Sequence, residues 1–265
     1  MTATGPPRPS ARAHGSAAAH GSGGALPGAR AGRDPARAIK RGPSRVPPEV
    51  VAATQRDRLF DGLVHTVAQK GYVDARVSDI CQAAGVTRPV FYALFAGKED
   101  AFLATYRHGT AVLLELMDQA YASAADWRGG ARAALRVLLD VLAGVPAFAV
   151  MAVVEIDGAG PAAREARDRL LDGFGRFFAA APPLPDERMS RELIASIVGG
   201  IYSTIRRHVA AGRTADLPGL LPLISYFMMV PFVGREAAVA ELHVAADAER
   251  TAAPCAPLDR LPTER

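Results

Sequence analysis

Apolar residues recur at helical spacing on both sides of one glycine, Gly85. Before this glycine they fall at positions i, i+3, i+4 and i+7, which form one face of a helix, namely Val77, Ile80, Cys81 and Ala84. Gly85 itself can take the positive φ that ends a helix at no Cβ penalty. After it, the buried side of a second short helix is predicted to consist of Phe91, Leu94 and Phe95. Two short helices joined by a tight turn are typical of a helix-turn-helix, whose second helix lies in the DNA major groove.

The start of the second helix carries its own sequence signals. Thr87 is predicted to accept hydrogen bonds from the free amides of the first turn. Val86 and Phe91 stand at the spacing of a hydrophobic staple, which fixes the angle at which the chain enters the helix. Pro89 is tolerated because first-turn amides have no partner within the helix. The residues left facing outward are then Arg88, Pro89, Tyr92 and Ala93.

Five short motifs follow one another at fixed spacing around this unit: Gly71-Tyr72, Val77-Ser78-Asp79-Ile80, Ala84-Gly85-Val86-Thr87, Phe91-Tyr92-Ala93-Leu94-Phe95 and Lys98-Glu99-Asp100. With these motifs, the segment from about Gln55 to Tyr106 strongly resembles the DNA-binding domain of the TetR family of transcriptional repressors. The chain departs from the family pattern at two pairs. Ala75-Arg76 stand where the family usually has two threonines, and Pro89-Val90 stand where it often has small hydroxyl residues.

The resemblance implies a set of DNA contacts. Base edges are expected to be contacted by the outer side of the second helix, namely Arg88, Pro89, Val90 and Ala93, and arginine suits a bidentate contact with guanine. Phosphates are expected to be held by Arg76, Thr87, Tyr92 and Lys98, which would set the register on the duplex. Ser78, at the start of the first helix of the motif, is counted with the DNA-binding residues.

The rest of the chain also has helical periodicity, without the regular alternation or Asn-Gly hairpins that indicate strands. The first helix is predicted to begin near Pro47-Pro48 and to end before Gly71. Later helices are predicted over Trp127–Val145, Pro161–Ala181, Asp186–Ala211 and Leu217–Val230, with a short apolar segment at Ala147–Ile156. The predicted fold class is all-α. A three-helix DNA-binding domain at residues 48–108 would precede a larger helical effector-binding and dimerisation domain at 109–244.

Charge is concentrated at the beginning of the chain. Residues 1–47 contain eight Lys or Arg and one acid, Asp34, a net charge of +7, which leaves −3 for the remainder of a chain whose total is +4. This segment is rich in Ala, Gly, Pro and Arg, so we expect it to be disordered, as we do residues 245–265. Residues 1–47 would be a solvated leader, an extension upstream of the true start codon, or a basic arm that reaches DNA phosphates or the minor groove.

Two further features are expected from the family resemblance. An effector pocket would lie among the helices from Trp127 to Tyr202, with an apolar lining that includes Phe148, Met151, Phe174, Phe177, Phe178 and Tyr202. The last two long helices would pair with those of a second copy through apolar stripes that include Ile194, Ile197, Ile201, Ile205, Leu220, Ile224 and Phe227. The alternative for each set is ordinary internal core, and for the two stripes we favour pairing with a second copy.

Enzymatic signals are weak. Gly158-Ala159-Gly160-Pro161-Ala162-Ala163 matches the loose dinucleotide pattern G-x-G-x-x-A, but no second strand with an acid follows, so we interpret it as a loop between helices. Glu155 and Asp157 near this loop would form either a carboxylate pair for acid–base or metal chemistry, or an ordinary solvated loop. No nucleophile–base or metal-ligand set is visible, and we predict no enzyme activity, no cofactor and no metal.

The remaining composition favours a cytoplasmic protein. Two cysteines, Cys81 and Cys255, argue against a disulfide framework, and no uninterrupted apolar run reaches the roughly 18 residues of a membrane span. The sequence as a whole predicts a homodimeric, sequence-specific transcriptional regulator that binds a near-palindromic double-stranded operator. We predict a repressor released by a small lipophilic or aromatic effector. The alternative is an activator, or a ligand-insensitive DNA-binding protein of the same fold.

Overall fold

The computed structural model describes residues 25–31 and 47–251, with backbone alone for 243–251. Within these ranges the elements are helices and turns without a strand, which confirms the all-α prediction. The helices are α1 (Pro48–Asp74), α2 (Val77–Ala84), α3 (Arg88–Leu94), α4 (Lys98–Ala122), α5 (Trp127–Gly144), α6 (Pro146–Ala149), α7 (Pro161–Gly173), α8 (Glu187–Ala210) and α9 (Leu221–Thr251).

Four short turns, one wider and three tighter than an α-helix, connect or extend these helices. A π-helical turn, Val150–Val154, and a 3-10 turn, Glu155–Gly158, follow α6 directly. A 3-10 turn, Phe174–Phe178, continues α7, and another, Thr214–Leu220, precedes α9. The glycines after Asp157 therefore belong to a connection between helical segments, which agrees with our interpretation of the G-x-G-x-x-A match.

Local sequence signals explain most of the helix ends. Pro48 occupies the first turn of α1, where its missing N–H has no partner to lose, and regular helix breaks at Gly71 with φ 77°. The N-termini of α5 and α8 are capped by aspartates: Asp126 Oδ1 accepts a hydrogen bond from Gly129 N at 2.8 Å, and Asp186 Oδ1 accepts one from Met189 N at 2.7 Å. The predicted starts of α1, α5 and α8 are thus confirmed to within a residue.

Glycine at position 62 allows α1 and α2 to approach closely. A Cβ added there would lie 2.8 Å from the backbone nitrogen of Ala84 and 3.0 Å from the carbonyl oxygen of Ile80. Both atoms belong to the backbone of α2, so they cannot move aside without a shift of the whole helix. Gly62 therefore sets the distance between α1 and α2, although nothing in the local pattern singles it out.

A single hydrophobic core runs through the described residues, from the helix-turn-helix to α9. Its largest fully buried side chains include Tyr106 and Phe102 of α4, Phe91 of α3 and Phe148 of α6. α4 takes part along its whole length, and the ring of Phe148 lies where a Cβ on Gly109 would be, at 2.3 Å. The helix-turn-helix and the larger helical half are consequently packed on one another.

Residues 25–31 are ordered, although they lie within the segment predicted to be disordered. Leu26 is buried, and Gly28 N donates a hydrogen bond to Oδ1 of the buried Asp61 at 2.7 Å. Gly28 has φ 85°, and a Cβ there would lie 2.5 Å from Cγ1 of Val64. Buried apolar side chains and hydrogen bonds to Asp61 and His65 of α1 thus dock a stretch whose composition indicates disorder. The prediction for the rest of the tail falls on 1–24 and 32–46, outside the described residues.

The last helix continues further than the sequence predicted. Pro231 was expected to end it, and residues from 245 were expected to be disordered, yet α9 runs to Thr251 with a break at Gly234, where φ is 78°. Tertiary contacts explain the extension, because Ala238 is fully buried and Glu241 is paired with Arg132 of α5. Residues 252–265 lie outside the described part of the chain.

Candidate nucleic-acid interface and interior cavity

The turn between α2 and α3 is held by backbone and side-chain hydrogen bonds. Gly85 has φ 62°, and the next amide, Val86 N, donates to Cys81 O at 3.0 Å. Arg58 of α1 donates from Nη2 to the carbonyl of Gly85 at 3.0 Å. The left-handed conformation predicted for Gly85 is confirmed. The relative orientation of α2 and α3 is therefore tied to α1.

The N-terminus of α2 is fixed by Asp79. Its Oδ2 accepts a hydrogen bond from the backbone N–H of Arg76 at 3.1 Å and lies 3.0 Å from Nζ of Lys70. The hydrogen bond from Lys70, followed by that from Arg76, holds the pKa of the Asp79 carboxyl below its ordinary value. The Arg76 side chain itself is exposed beside this contact.

The outer side of α3 is exposed to solvent. Phe91 is fully buried beneath it, whereas 58% of Tyr92 is exposed. Among the predicted DNA contacts, the exposed residues are Arg76, Thr87, Arg88, Pro89, Tyr92 and Ala93, and the half-buried ones are Ser78, Val90 and Lys98. The exposed set presents two guanidinium groups, one phenol, one hydroxyl and small apolar groups, which suits contact with a DNA groove and its phosphates.

Two of these residues differ from their predicted roles. Thr87 is the N-cap residue of α3, but its hydroxyl makes no capping hydrogen bond. Lys98 Nζ donates to the carbonyl oxygens of Tyr72 at 2.8 Å, Val73 at 3.2 Å and Ala75 at 3.0 Å. An ammonium has three N–H donors, so Lys98 has none left for a phosphate. Its charge instead satisfies the carbonyls at the end of α1, where the chain turns towards α2.

An apolar cavity lies inside the larger helical half and encloses about 100 Å³. Five of the six predicted pocket residues line it, namely Phe148, Phe174, Phe177, Phe178 and Tyr202. The sixth, Met151, is fully buried but does not line the cavity. The π-helical turn explains this difference, because it shifts the wall positions after Phe148 to Ala152 and Val153, four and five residues on.

Tyr106 of α4 also lines the cavity, although it is not among the predicted pocket residues. It is 2% exposed, and among the described residues its hydroxyl has no hydrogen-bond partner. Burial raises the pKa of this phenol well above its ordinary value. Nothing in its local spacing sets Tyr106 apart, and only the packing shows that its hydroxyl is buried without a partner among the described residues.

The carboxylates near the Gly158–Gly160 connection are engaged in structural contacts. Glu155 Oε2 accepts a hydrogen bond from Tyr72 N at 2.6 Å. Asp157 is paired with Arg167, and its Oδ2 lies 3.1 Å from Nη2 of Arg206. Neither the acid–base pair nor the solvated loop considered for these residues is what forms. In the described ranges, no cluster of His, Cys, Asp or Glu has the arrangement of a metal site.

The stripes predicted for dimerisation are largely turned inward. Ile197, Ile205 and Ile224 are 2%, 4% and 3% exposed, so they belong to the core of the chain and not to an interface. The reason is that α8 packs this face on the π-helical turn, where Ile201 and Ile205 form part of the cavity wall. The half-buried members are Ile194, Ile201 and Leu220.

An exposed apolar pair remains on α9. Leu223 is 58% exposed and Phe227, one turn later, is 47% exposed. The ring of Phe227 lies close to Gly200 of α8, where an added Cβ would be 3.1 Å from Cε1. Phe227 is one of the residues predicted for dimerisation, and Leu223 belongs to the same apolar stripe of the sequence.

Comparison with known proteins agrees with this geometry. The sequence model described as bacterial regulatory proteins, tetR family, matches residues 59–105, which span the helix-turn-helix. The HTH-type transcriptional regulator BetI of Brucella anthropi is 25% identical over 192 residues, which cover 69% of this chain and 95% of that protein.

Two solved structures have the same fold. The fatty acid degradation regulator FadR of Bacillus halodurans aligns with a TM-score of 0.58 at 20% identity, covering 72% of this chain and 97% of that one. FadR of Bacillus subtilis, solved in complex with stearoyl-CoA, aligns with a TM-score of 0.55 at 21% identity, covering 66% and 97%. Residues 59–105 therefore form a DNA-binding domain of the TetR type, and most of the chain is similar to a helix-turn-helix transcriptional regulator.

Proposed function

We propose that this protein is a homodimeric repressor that leaves its operator when a small apolar effector enters the interior cavity. One observation carries the proposal: α4 belongs to both sites. Its first residue, Lys98, holds the end of α1 beside the helix-turn-helix, and Tyr106 and Thr110 of the same helix line the cavity. A ligand that shifts α4 therefore acts directly on the support of the DNA-binding helices.

Operator recognition is assigned to the exposed side of α3 and its flanks. Arg88 would read a guanine edge, with Pro89, Val90 and Ala93 in apolar contact with neighbouring bases. Tyr92, Thr87 and Arg76 would hold phosphates, and the Thr87 hydroxyl is not used by the helix cap. Ser78 stays in the set because it lies in the first turn of α2, and the first helix of a helix-turn-helix crosses the DNA backbone. Lys98 is removed from the set, because its ammonium is saturated by carbonyls.

Dimerisation is assigned to α8 and α9. Leu223 and Phe227 are exposed on α9, and the neighbouring outer face of α8 is made of small residues, namely Ala195, Ser196, Gly199 and Ser203. By length and composition Thr214–Leu242 is apolar enough to cross a membrane, and 33% of its most apolar window is buried in this chain. A second copy packed on this face explains the remaining apolar surface without a membrane. A two-fold dimer would place the recognition helices about 34–36 Å apart on a near-palindrome.

The character of the cavity supports an apolar effector. Its wall is almost wholly aliphatic and aromatic. The Bacillus subtilis relative was solved with stearoyl-CoA, so a lipophilic ligand is compatible with this fold. The cavity of about 100 Å³ is smaller than the ~300–1,000 Å³ of usual ligand sites, so a long acyl chain would have to displace side chains. A DNA-binding role supports our proposal of a cytoplasmic location.

Fluorescence anisotropy tests the DNA-binding role. The full chain is titrated onto the DNA upstream of its own gene and onto scrambled DNA of equal length, over a salt series. We expect tight binding to the upstream DNA alone, with log affinity falling linearly with log salt. Arg88→Ala should lose preference for the upstream DNA, while Arg191→Ala, an exposed arginine on α8, should keep it. Equal affinity of the unmodified protein for both DNAs, upstream and scrambled, would contradict the proposal.

A reporter assay separates repression from activation. The upstream promoter drives a reporter in cells with and without the protein, and in cells that carry the Arg88→Ala variant. A repressor lowers reporter output, and the variant restores it. If the protein raises output and the variant abolishes that rise, the protein is an activator on the same operator.

A further inference from the structure

We infer that the cavity takes a small uncharged aromatic ligand with one hydrogen-bond acceptor, and that the hydroxyl of Tyr106 donates to this acceptor. The inference rests on the proposed function and defines the chemical class of the effector. Within the part of the chain that the structure describes, it follows from three properties of the cavity: a lining hydroxyl without a partner, a wall without charged residues, and a small volume surrounded by phenyl rings.

The unpaired donor is unusual in this setting. Tyr106 is 2% exposed and its hydroxyl has no hydrogen-bond partner in the described part of the chain. Buried hydroxyls are normally bonded, because an unpaired one retains the cost of leaving water. The other lining hydroxyls are engaged: Thr110 Oγ1 donates to Tyr106 O at 2.8 Å, and Tyr202 donates to Val153 O at 3.1 Å.

The ligand's partner atom must be an acceptor. Burial raises the pKa of Tyr106, so the phenol remains protonated at neutral pH and offers its O–H. A carbonyl or ether oxygen fits this donor. A ligand with only C–H groups leaves it unpaired, as it is in the ligand-free chain.

Charge considerations favour a neutral ligand. The cavity wall contains no charged residue. The nearby guanidinium of Arg167 is paired with both Asp157 and Asp168, and that of Arg206 is also paired with Asp157. A carboxylate placed in the cavity would lose its hydration without meeting a free cation, which is strongly unfavourable.

Size and wall composition point to a single ring. The cavity encloses about 100 Å³. This volume is of the order of the ~150 Å³ apolar cavity that admits benzene in an engineered protein. The phenyl rings of Phe148, Phe174, Phe177 and Phe178 surround it, and aromatic rings pack favourably in offset or edge-to-face contacts. A monocyclic aromatic ketone meets all three requirements.

Three probes of nearly equal shape test the inference. Acetophenone carries a neutral acceptor, α-methylstyrene replaces its oxygen by a methylene group, and benzoate replaces the acetyl group by a carboxylate. Binding of each is measured by isothermal titration calorimetry on the full-length protein and on Tyr106→Phe. Tyr121→Phe, on the same helix but outside the cavity wall, is the control. Thermal melts show whether each variant is folded.

The expected result is a selectivity that depends on one hydroxyl. Acetophenone should bind more tightly than α-methylstyrene and benzoate, and Tyr106→Phe should weaken acetophenone alone by roughly five- to ten-fold. The ligand-free Tyr106→Phe protein should melt at the same temperature or higher, because an unpaired buried hydroxyl is removed. Tyr121→Phe should keep the selectivity.

Several outcomes would overturn the inference. These are tighter binding of benzoate than of acetophenone, unchanged selectivity in Tyr106→Phe, or no binding of any of the three probes. Anisotropy on the same samples without ligand separates this failure from failure of the proposed function. Specific operator binding with no probe selectivity rejects the ligand class alone, whereas loss of operator specificity in the unmodified protein rejects the proposed function.

Discussion

The carboxylate of Glu155 accepts a hydrogen bond from the backbone N–H of Tyr72 at 2.6 Å, across 83 positions of sequence. On its other side, the carbonyl of Tyr72 accepts from Lys98 Nζ at 2.8 Å, and the same ammonium lies 4.3 Å from the Tyr72 ring centroid. The end of α1 is therefore held from two directions. Glu155 follows the π-helical turn whose Ala152 and Val153 line the cavity, so this contact joins the cavity to the DNA-binding half.

Glu155→Ala should uncouple effector and operator. The change removes a charge-assisted hydrogen bond, with an expected loss of about 1.5–3 kcal/mol in the free energy of unfolding. The effect of a cavity ligand on operator affinity should shrink more than operator affinity itself. Fluorescence anisotropy with and without ligand measures the effect of the ligand on operator affinity, and urea melts measure the free energy of unfolding. Glu165→Ala, an exposed residue of α7, is the control. A full ligand response in Glu155→Ala would reject this coupling.

Lys98→Met should lower stability without removing a phosphate contact. The three carbonyls at the end of α1 lose their donor, and we expect a loss of about 1–3 kcal/mol in the free energy of unfolding. The slope of log affinity against log salt should stay as in the unmodified protein. Arg76→Ala should instead reduce that slope by about one, as expected for a lost phosphate contact. A reduced slope for Lys98→Met would show that Lys98 does contact a phosphate.

Asp79 should make the protein sensitive to acid. The hydrogen bond from Lys70 holds the pKa of its carboxyl below the ordinary value of 3.8 in the folded state. Since the unfolded chain binds the proton more readily, this stabilisation is present above the ordinary pKa and is lost as pH falls through the lower folded pKa. Asp79→Asn should therefore flatten the fall in unfolding free energy below about pH 4. Urea melts across this range measure it, and parallel curves for both proteins would contradict the assignment.

Gly62→Ala should separate α1 from α2. The added methyl meets backbone atoms at 2.8 to 3.0 Å, and overpacking of this kind costs about 1–3 kcal/mol. Operator affinity should fall as well, because α2 carries the turn that positions α3. Gly144→Ala is the matched control, since a Cβ there has no neighbour within 4 Å. Equal melting temperatures for the two variants would show that α2 accommodates the methyl group.

Removal of residues 1–31 should destabilise the folded chain. The deletion loses buried Leu26 and the hydrogen bond from Gly28 N to Asp61, which leaves a buried carboxylate with less support. Burial of one leucine alone contributes about 1.5–3 kcal/mol. Removal of residues 1–24 keeps these contacts and serves as the control. Identical unfolding curves for both deletions would show that the docked segment adds nothing to stability.

Local order in this protein followed from its sequence. Periodic apolar positions, Gly85 at a left-handed turn, Pro48 in a first turn and the Asp126 and Asp186 caps each act within a few residues. Such signals depend on nearest neighbours along the chain, so they can be read without the fold. The resemblance to the TetR family rested on the same short motifs.

Tertiary structure decided which partner each side chain meets. Periodicity marked the face of Ile197 and Ile205 as apolar. The same pattern results whether such a face packs inside its own chain, as it does here, or against a second copy. Lys98 was expected at a phosphate, yet carbonyls 23 to 26 residues away use all its donors. The unpaired hydroxyl of Tyr106 and the close approach at Gly62 likewise depend on neighbours brought together by folding. The sequence therefore determined the helices and the turn, whereas packing between distant segments determined the charge partners, the cavity and the exposed surface, because those contacts have no local spacing to reveal them.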